Sequence, residues 1–144
     1  MDNQIMNIEE QQELNIFEDA NRKPAYCSIV AETFEDKAKI FNAMSSPDER
    51  LRNHINEVIR IRDVYCEIVT CLNKDTGETS EAPRVVLIDT EGKSYQCVST
   101  GIFNSLKRLF TVFGMPTWEK GVPCKVKQVS NGERQILTLV VANK

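Results

Sequence analysis

Residues 99–114 carry the one strong helical pattern in a chain whose other patterns are typical of strands. Ser99 or Thr100 is suited to accept hydrogen bonds from the first free N–H groups of a helix. Gly114 and Pro116 are suited to end it. Apolar residues recur between these ends at the spacing of one broad helix face: Ile102, Phe103, Leu106, Leu109, Phe110 and Phe113. The segment therefore predicts a single helix that buries one face against strands.

The opposite side of this helix carries Lys107 and Arg108. Charges on the polar side of an amphipathic helix are ordinarily solvated. The helix is therefore predicted to fix the fold, and the neighbouring strands are predicted to carry the binding surface.

The strand patterns begin with residues 57–73, the longest of them. Ile59 and Ile61 alternate with arginines, and beyond Asp63 the apolar residues change phase by one position. A change of phase by one residue predicts a bulge or a sharp bend near residues 62–63, and a bent strand is suited to closing a small barrel. Further strands are predicted at residues 84–89, 93–98, 122–129 and 135–141.

The order from residue 57 is thus three strands, the helix and two strands. This order predicts a mainly β fold, a five-stranded Greek-key barrel of OB-fold type with one helix between strands three and four. Residues 24–44 precede the barrel as part of an N-terminal extension. They contain strand patterns at 25–31 and 39–44, which would supply either an edge strand or an arm between subunits. Residues 45–56 predict a short helix that buries Leu51 and Ile55.

Charge divides the chain of 144 residues into two parts. Residues 1–35 contain eight acids and two bases, whereas residues 36–144 contain thirteen acids and sixteen bases. The sequence predicts an acidic, disordered tail at 1–23 and one domain at 24–144. The tail would serve as a solubilising segment, as a docking segment for partner proteins, or as a competitor of an anionic ligand.

The composition favours a protein of the cytoplasm. No apolar run is long enough to span a bilayer, and the first residues lack a signal-peptide pattern. Five cysteines, an odd number without a CxxC pair, predict reduced core thiols and no zinc site.

No motif of a nucleotide-binding loop, a zinc protease or a serine hydrolase occurs. His54 is the one histidine, so a histidine-based catalytic site is not expected. The chain is predicted to be non-enzymatic and to need no cofactor. A small nucleic-acid enzyme would require a pair of metal-binding acids, for which Asp63 and Asp89 are the residues to test.

Basic and aromatic residues alternate along the predicted strands. Single-stranded nucleic acid is bound by cations along its phosphates and by flat rings on which bases stack. The predicted nucleic-acid-binding residues are Arg60, Arg62, Arg84, Lys93, Lys125 and Lys127 for phosphates, and Tyr65, Tyr95 and Trp118 for bases. Arg134 is a further basic candidate. The alternative for Arg60 and Arg62 is the solvated face of a strand.

Several segments together resemble the single-stranded DNA-binding proteins of phages that infect Gram-positive bacteria. The segments are residues 39–44, 64–70, 82–89, 94–96, 99–106, 116–118 and 125–129, within a resemblance that covers about residues 36–143. The resemblance implies an OB-like protein of the host cytoplasm that coats single-stranded DNA without sequence preference in phage replication or recombination. The other expected partners are replication or recombination proteins, docked through the acidic tail, and further copies of the chain itself.

An alternative function is a protein-interaction module that docks on host replication or transcription machinery. The acidic tail and the overall negative charge of −3 favour it. Deletion of residues 1–23 separates the two functions, because DNA binding by the body would persist while docking through the tail would be lost.

Overall fold

The computed structural model of the protein describes residues 25–142. The predicted tail at 1–23 lies outside these residues. The elements are β1 (Ala25–Cys27), α1 (Phe34–Ser45), β2 (Glu49–Arg50), a 3-10 helix (Leu51–His54), β3 (Val58–Leu72), β4 (Thr79–Asp89), β5 (Ser94–Val98), α2 (Thr100–Phe113), β6 (Val122–Asn131) and β7 (Arg134–Val141).

All the strands belong to one curled sheet that forms a half-barrel. Its order is β2-β5-β4-β3-β6-β7, and β1 pairs with β3 beside this path. Only the short β2–β5 pair is parallel among the pairings of residues 25–142. The long strand β3 is central, because its first residues pair with β6 and its remainder pairs with β4.

The bulge predicted near residues 62–63 is confirmed. The pairing of β3 with β4 shifts register between Ile61 and Asp63, where β3 also changes from β6 to β4 as its neighbour. Asp63 is buried there and accepts a hydrogen bond from the hydroxyl of Ser28 at 2.7 Å. Since a bulge bends its strand, this position lets the sheet curl around its core.

The mainly β class is confirmed. Residues 25–142 contain seven strands and two α-helices. Of these, β3 to β7 and α2 follow the order predicted from residue 57, whereas β1, β2 and α1 lie in the residues before it. Within these residues β5 and β7 are not hydrogen-bonded to each other, so the sheet stays open between them. Helix α2 follows β5 and packs against β7 at this opening.

The N-terminal extension also differs from its prediction. Residues 39–44 belong to helix α1, because Thr33 caps its start by accepting a hydrogen bond from the Asp36 N–H at 3.1 Å. Glu35 and Asp36 add negative charge to the first turn, which favours a helix. Strand β1 is also shorter than predicted, ending at Cys27.

The helix predicted at residues 45–56 is replaced by β2 and the 3-10 helix. The reason is a reciprocal pair of hydrogen bonds between Asp48 and Ser94. The Asp48 N–H donates to the Ser94 hydroxyl at 3.0 Å, and the Ser94 N–H donates to the Asp48 carboxylate at 2.9 Å. These bonds hold the segment in an extended form beside β5, and Leu51 is fully buried just beyond it.

Helix α2 matches its prediction at both ends. The Ser99 hydroxyl accepts a hydrogen bond from the Ile102 N–H at 3.1 Å, and Gly114 ends the helix with φ of 80°. Ile102, Leu106 and Leu109 are buried in the main core against residues of β3, β4 and β6. Phe103 and Phe110 are half-buried against this core, whereas Phe113, also predicted on the buried face, is 45% exposed at the last residue of the helix. The apolar face of α2 as far as Phe110 therefore closes the half-barrel.

Candidate nucleic-acid interface

Four of the predicted phosphate ligands lie on the solvent-facing side of β3 and β6, here called the outer face. Arg60 and Arg62 alternate on β3 with the buried Ile59 and Ile61. The other two, Lys125 and Lys127, alternate on β6 with buried residues of the core. Because paired residues of antiparallel strands share a side, the pairing of Val58 with Lys125 places both strands' cations on one face.

The cations of the outer face have few internal partners. Arg60 donates to the Lys120 carbonyl at 3.5 Å, and Arg62 lies 3.9 Å from a carboxylate oxygen of Asp63. Lys125 and Lys127 are half-buried and form no ion pair with an acid of residues 25–142. These side chains can therefore bind phosphates without breaking strong hydrogen bonds or ion pairs inside the protein.

Arg84 and Tyr65 lie elsewhere and are held by internal contacts, in a group called the Arg84 cluster (Tyr65, Glu67, Arg84). Tyr65 is 5% exposed, and its hydroxyl donates to Glu67 at 2.6 Å. The Arg84 side chain is 14% exposed and donates to Glu67 at 3.2 Å, to the Met44 carbonyl at 2.8 Å and to Gln96 at 3.2 Å. Burial, followed by the hydrogen bond to Glu67, raises the pKa of Tyr65. These contacts join α1 to the sheet.

Tyr95 and Lys93 lie at the end of the β4–β5 hairpin. Tyr95 is buried, its hydroxyl donates to Asp89 at 3.3 Å, and its ring meets that of His54 edge-on at 5.0 Å. Burial, with a smaller contribution from Asp89, raises the pKa of Tyr95 to about 12. Lys93 is half-exposed, 3.9 Å from Glu49 and 5.8 Å from the centre of the Tyr95 ring.

Trp118 lies in the loop after α2. Its indole N–H donates to the Gly114 carbonyl at 3.1 Å, and its ring packs edge-on against Phe110 at 5.8 Å. The Trp118 backbone N–H donates to the Arg62 carbonyl at 2.9 Å. Trp118 therefore connects the C-terminus of α2 to the bulge of β3 and sits half-buried beside the outer face.

The most exposed aromatic rings in the described part of the chain belong to α1. Phe34 is 84% exposed and Phe41 is 67% exposed. They are seven residues apart on a helix and so lie on the same face. The structure therefore leaves both rings open to solvent on one side of α1.

A further basic surface lies where the sheet is open. A cleft of about 930 Å³ at this opening is lined by residues of β5, the start of α2 and β7. It is called the arginine cleft after the four arginines that line it: Arg50, Arg52, Arg108 and Arg134. The sequence predicted Arg134 only as a further candidate and Arg108 as an ordinary solvated charge. Both are exposed, as are Arg50 and Arg52.

Nothing in residues 25–142 resembles a metal centre, since no three His, Cys, Asp or Glu side chains cluster there. The ring nitrogens of His54 lie 3.0 Å from Glu49 and 3.1 Å from Glu57. The hydrogen bond to Glu57 is the main cause that raises the pKa of His54. Among the same residues, no helix is long and apolar enough to cross a membrane.

Comparison with known protein families identifies a family for this chain. The family model described as "Phage Single-stranded DNA-binding protein" matches residues 19–142, starting before the segments recognised in the sequence. No curated protein and no solved structure matches the chain.

Proposed function

Because this chain belongs to the phage single-stranded DNA-binding protein family, we propose that it coats single-stranded DNA without sequence preference during phage DNA replication or recombination. The family match over residues 19–142 is the observation that carries this function. We place its site of action in the host cytoplasm and assign it no catalytic step. The acidic tail would dock replication or recombination proteins, and further copies of the chain would bind side by side on the strand.

The outer face supports binding without sequence preference. Arg60, Arg62, Lys125 and Lys127 present charge without a fixed arrangement of donors for base edges. Contacts between such cations and phosphates carry no sequence information, and they release counterions when they form. Lys93, half-exposed at the end of the β4–β5 hairpin, would add a further phosphate contact.

Base stacking requires a ring that is accessible on one flat side. Phe34 and Phe41 meet this requirement, and half-buried Trp118 meets it in part. Tyr65 and Tyr95 would have to leave their buried positions and their hydrogen bonds to Glu67 and Asp89 before a base could stack on them. We therefore propose the exposed rings as the first stacking positions.

Fluorescence titration tests the proposed function, because Trp118 is the one tryptophan and lies beside the outer face. Addition of oligo(dT) at low salt is expected to quench its emission, with weaker binding at moderate salt because counterion release drives association. A gel shift with the same oligonucleotide gives an independent readout, and duplex DNA of equal length is the control. Absence of both quenching and a gel shift at micromolar protein would contradict the function.

A further inference from the structure

We propose, on the basis of the proposed function, that the arginine cleft is a second phosphate-binding channel for the same DNA strand. Its lining contains four arginines and no aspartate or glutamate. The four arginines come from β2, the 3-10 helix, α2 and β7, so the fold alone brings them together. The chemical class of ligand that such a lining recognises is a polyanion with spaced phosphates.

The arginines of the cleft are not neutralised by neighbouring acids, which favours binding of an anionic ligand. None of Arg50, Arg52, Arg108 and Arg134 forms an ion pair within residues 25–142. By contrast, Arg84 is paired with Glu67, and Lys93 lies near Glu49. Like charges around one cleft repel each other, and an incoming phosphate chain relieves that repulsion.

The remaining lining provides polar groups suited to phosphate and sugar. Gln96, Asn104 and Gln135 contribute amides, and Thr100 contributes a hydroxyl. Helix α2 begins at this wall, which adds the positive end of its dipole. The N–H groups of Thr100 and Gly101 donate to no acceptor within the described residues. A phosphate in the cleft could accept from arginine and backbone together.

The close approach of α2 to β7 keeps the cleft in shape. A Cβ at position 101 would overlap the Leu137 carbonyl oxygen and lie 2.6 Å from a methyl carbon of Ile136. The Leu139 N–H donates to the buried Ser105 hydroxyl at 3.1 Å. The wall that carries Arg108 is thereby fixed against the strand that carries Arg134.

The cleft is continuous with other basic surface on both sides. A smaller hollow of about 250 Å³ shares Asn104 and Arg108 with the cleft and adds Lys107. On the other side Thr138 lines the cleft and pairs directly with Lys127 of the outer face. A strand lying on the outer face could therefore cross β7 and continue along the cleft to α2.

The test compares two double variants of the full chain. The cleft variant is Arg108→Gln and Arg134→Gln. The matched control, Lys39→Gln and Lys74→Gln, removes the same charge from exposed positions that lie outside the cleft and off the helix face that carries Phe34 and Phe41. All four side chains are exposed, so neither variant is expected to change the thermal unfolding midpoint appreciably.

Fluorescence anisotropy of labelled oligo(dT) measures the DNA affinity of each variant and of wild type at several salt concentrations. The cleft variant is expected to lose about 100-fold in affinity at 50 mM salt, and its plot of log K against log salt becomes shallower by about 1.4, or about 0.7 per lost phosphate contact. The control variant is expected to lose less than about threefold in affinity, with its salt slope nearly unchanged, because it removes charge without removing phosphate contacts.

Each other outcome overturns the inference in a distinguishable way. If wild type binds and both variants bind alike, the cleft is not a DNA channel and the proposed function stands. If the cleft variant binds more tightly than wild type, the cleft holds an acidic segment of the chain rather than DNA. If wild type does not bind oligo(dT) at all, the proposed function and the inference fail together.

Discussion

The Arg84 cluster and the arginine cleft use the same side chain in opposite ways. In the cluster, one guanidinium is largely buried and donates to Glu67, to the Met44 carbonyl and to Gln96. In the cleft, four exposed guanidiniums from four different elements line the walls, and no acidic side chain lies among them. The two regions meet at Gln96, which accepts from Arg84 and also lines the cleft.

The comparison distinguishes cations that stabilise the fold from cations that are available to bind a ligand. A paired, largely buried cation is costly to unpair, so it stabilises the position of α1 and offers little to DNA. An exposed cation without an acidic partner contributes little to stability and is ready for a phosphate. Basic residues in this chain are therefore predicted to divide into those that affect unfolding and those that affect salt-dependent binding.

The largest expected single effect is on the Arg84 cluster. Arg84→Met leaves the Glu67 carboxylate, which is 30% exposed, without its cation and the Met44 carbonyl without its donor. The free energy of unfolding is expected to fall by about 2 kcal/mol. Urea denaturation measures this change in the free energy of unfolding. The slope of log K for oligo(dT) against log salt is expected to stay unchanged in the same variant. A large change of that slope with unchanged stability would mean that Arg84 binds DNA and does not stabilise the fold.

Next in size is a single change in the cleft. Arg134→Gln is expected to lower affinity for oligo(dT) about tenfold at 50 mM salt and to reduce the salt slope by about 0.7. Its unfolding midpoint is expected to match wild type, because the side chain is exposed. Lys74→Gln, which removes a charge from an exposed position outside the cleft, is the control. Equal affinities for the two variants would remove Arg134 from the interface.

A smaller effect is expected when the cluster loses one hydrogen bond. Tyr65→Phe keeps the buried ring and removes the hydroxyl that donates to Glu67. The free energy of unfolding is expected to fall by about 1 kcal/mol, with DNA affinity unchanged. Urea denaturation and anisotropy on the same sample check both values. Loss of affinity at unchanged stability would instead make Tyr65 a DNA ligand.

The smallest effect depends on pH and is expected at His54, beside Glu49 and Glu57. Its pKa is raised, chiefly by the hydrogen bond to Glu57, with Glu49 also nearby and Tyr95 packed against the ring. A raised folded-state pKa stabilises the protein below about pH 6.5, and this stabilisation is lost as pH rises through the folded value.

His54→Gln is therefore expected to be less stable than wild type by about 0.5 kcal/mol near pH 6 and to approach wild type near pH 9. Thermal unfolding across this range measures the difference between the two proteins. A deficit that grows toward high pH would show that the ring is held neutral instead.

Local patterns in the sequence were sufficient for elements whose causes lie within a few residues. The apolar spacing and caps of α2, and the change of phase at residues 62–63, depend on neighbours along the chain. Residues 45–56 do not form the predicted α-helix, because Ser94, distant in sequence, holds Asp48 beside β5. A contact of this kind leaves no periodic signal.

The same reason explains which binding residues the sequence could identify. Alternation along β3 and β6 correctly placed Arg60 and Lys125 on a solvent-facing side, because side chains on a strand alternate. The arginine cleft joins residues from position 50 to position 134 across an open sheet edge. Only the register and the curl of the sheet bring them together, and no spacing in the sequence expresses either.

The most direct test of the central claim observes the arginine side chains themselves. Nε–H signals of ¹⁵N-labelled protein are recorded with and without oligo(dT), and assigned through single Arg→Lys variants. Signals of Arg52, Arg108 and Arg134 are expected to shift with added oligonucleotide and to return as salt is raised, while that of Arg84 stays fixed. A shift of Arg84 with unmoved cleft arginines would contradict the account.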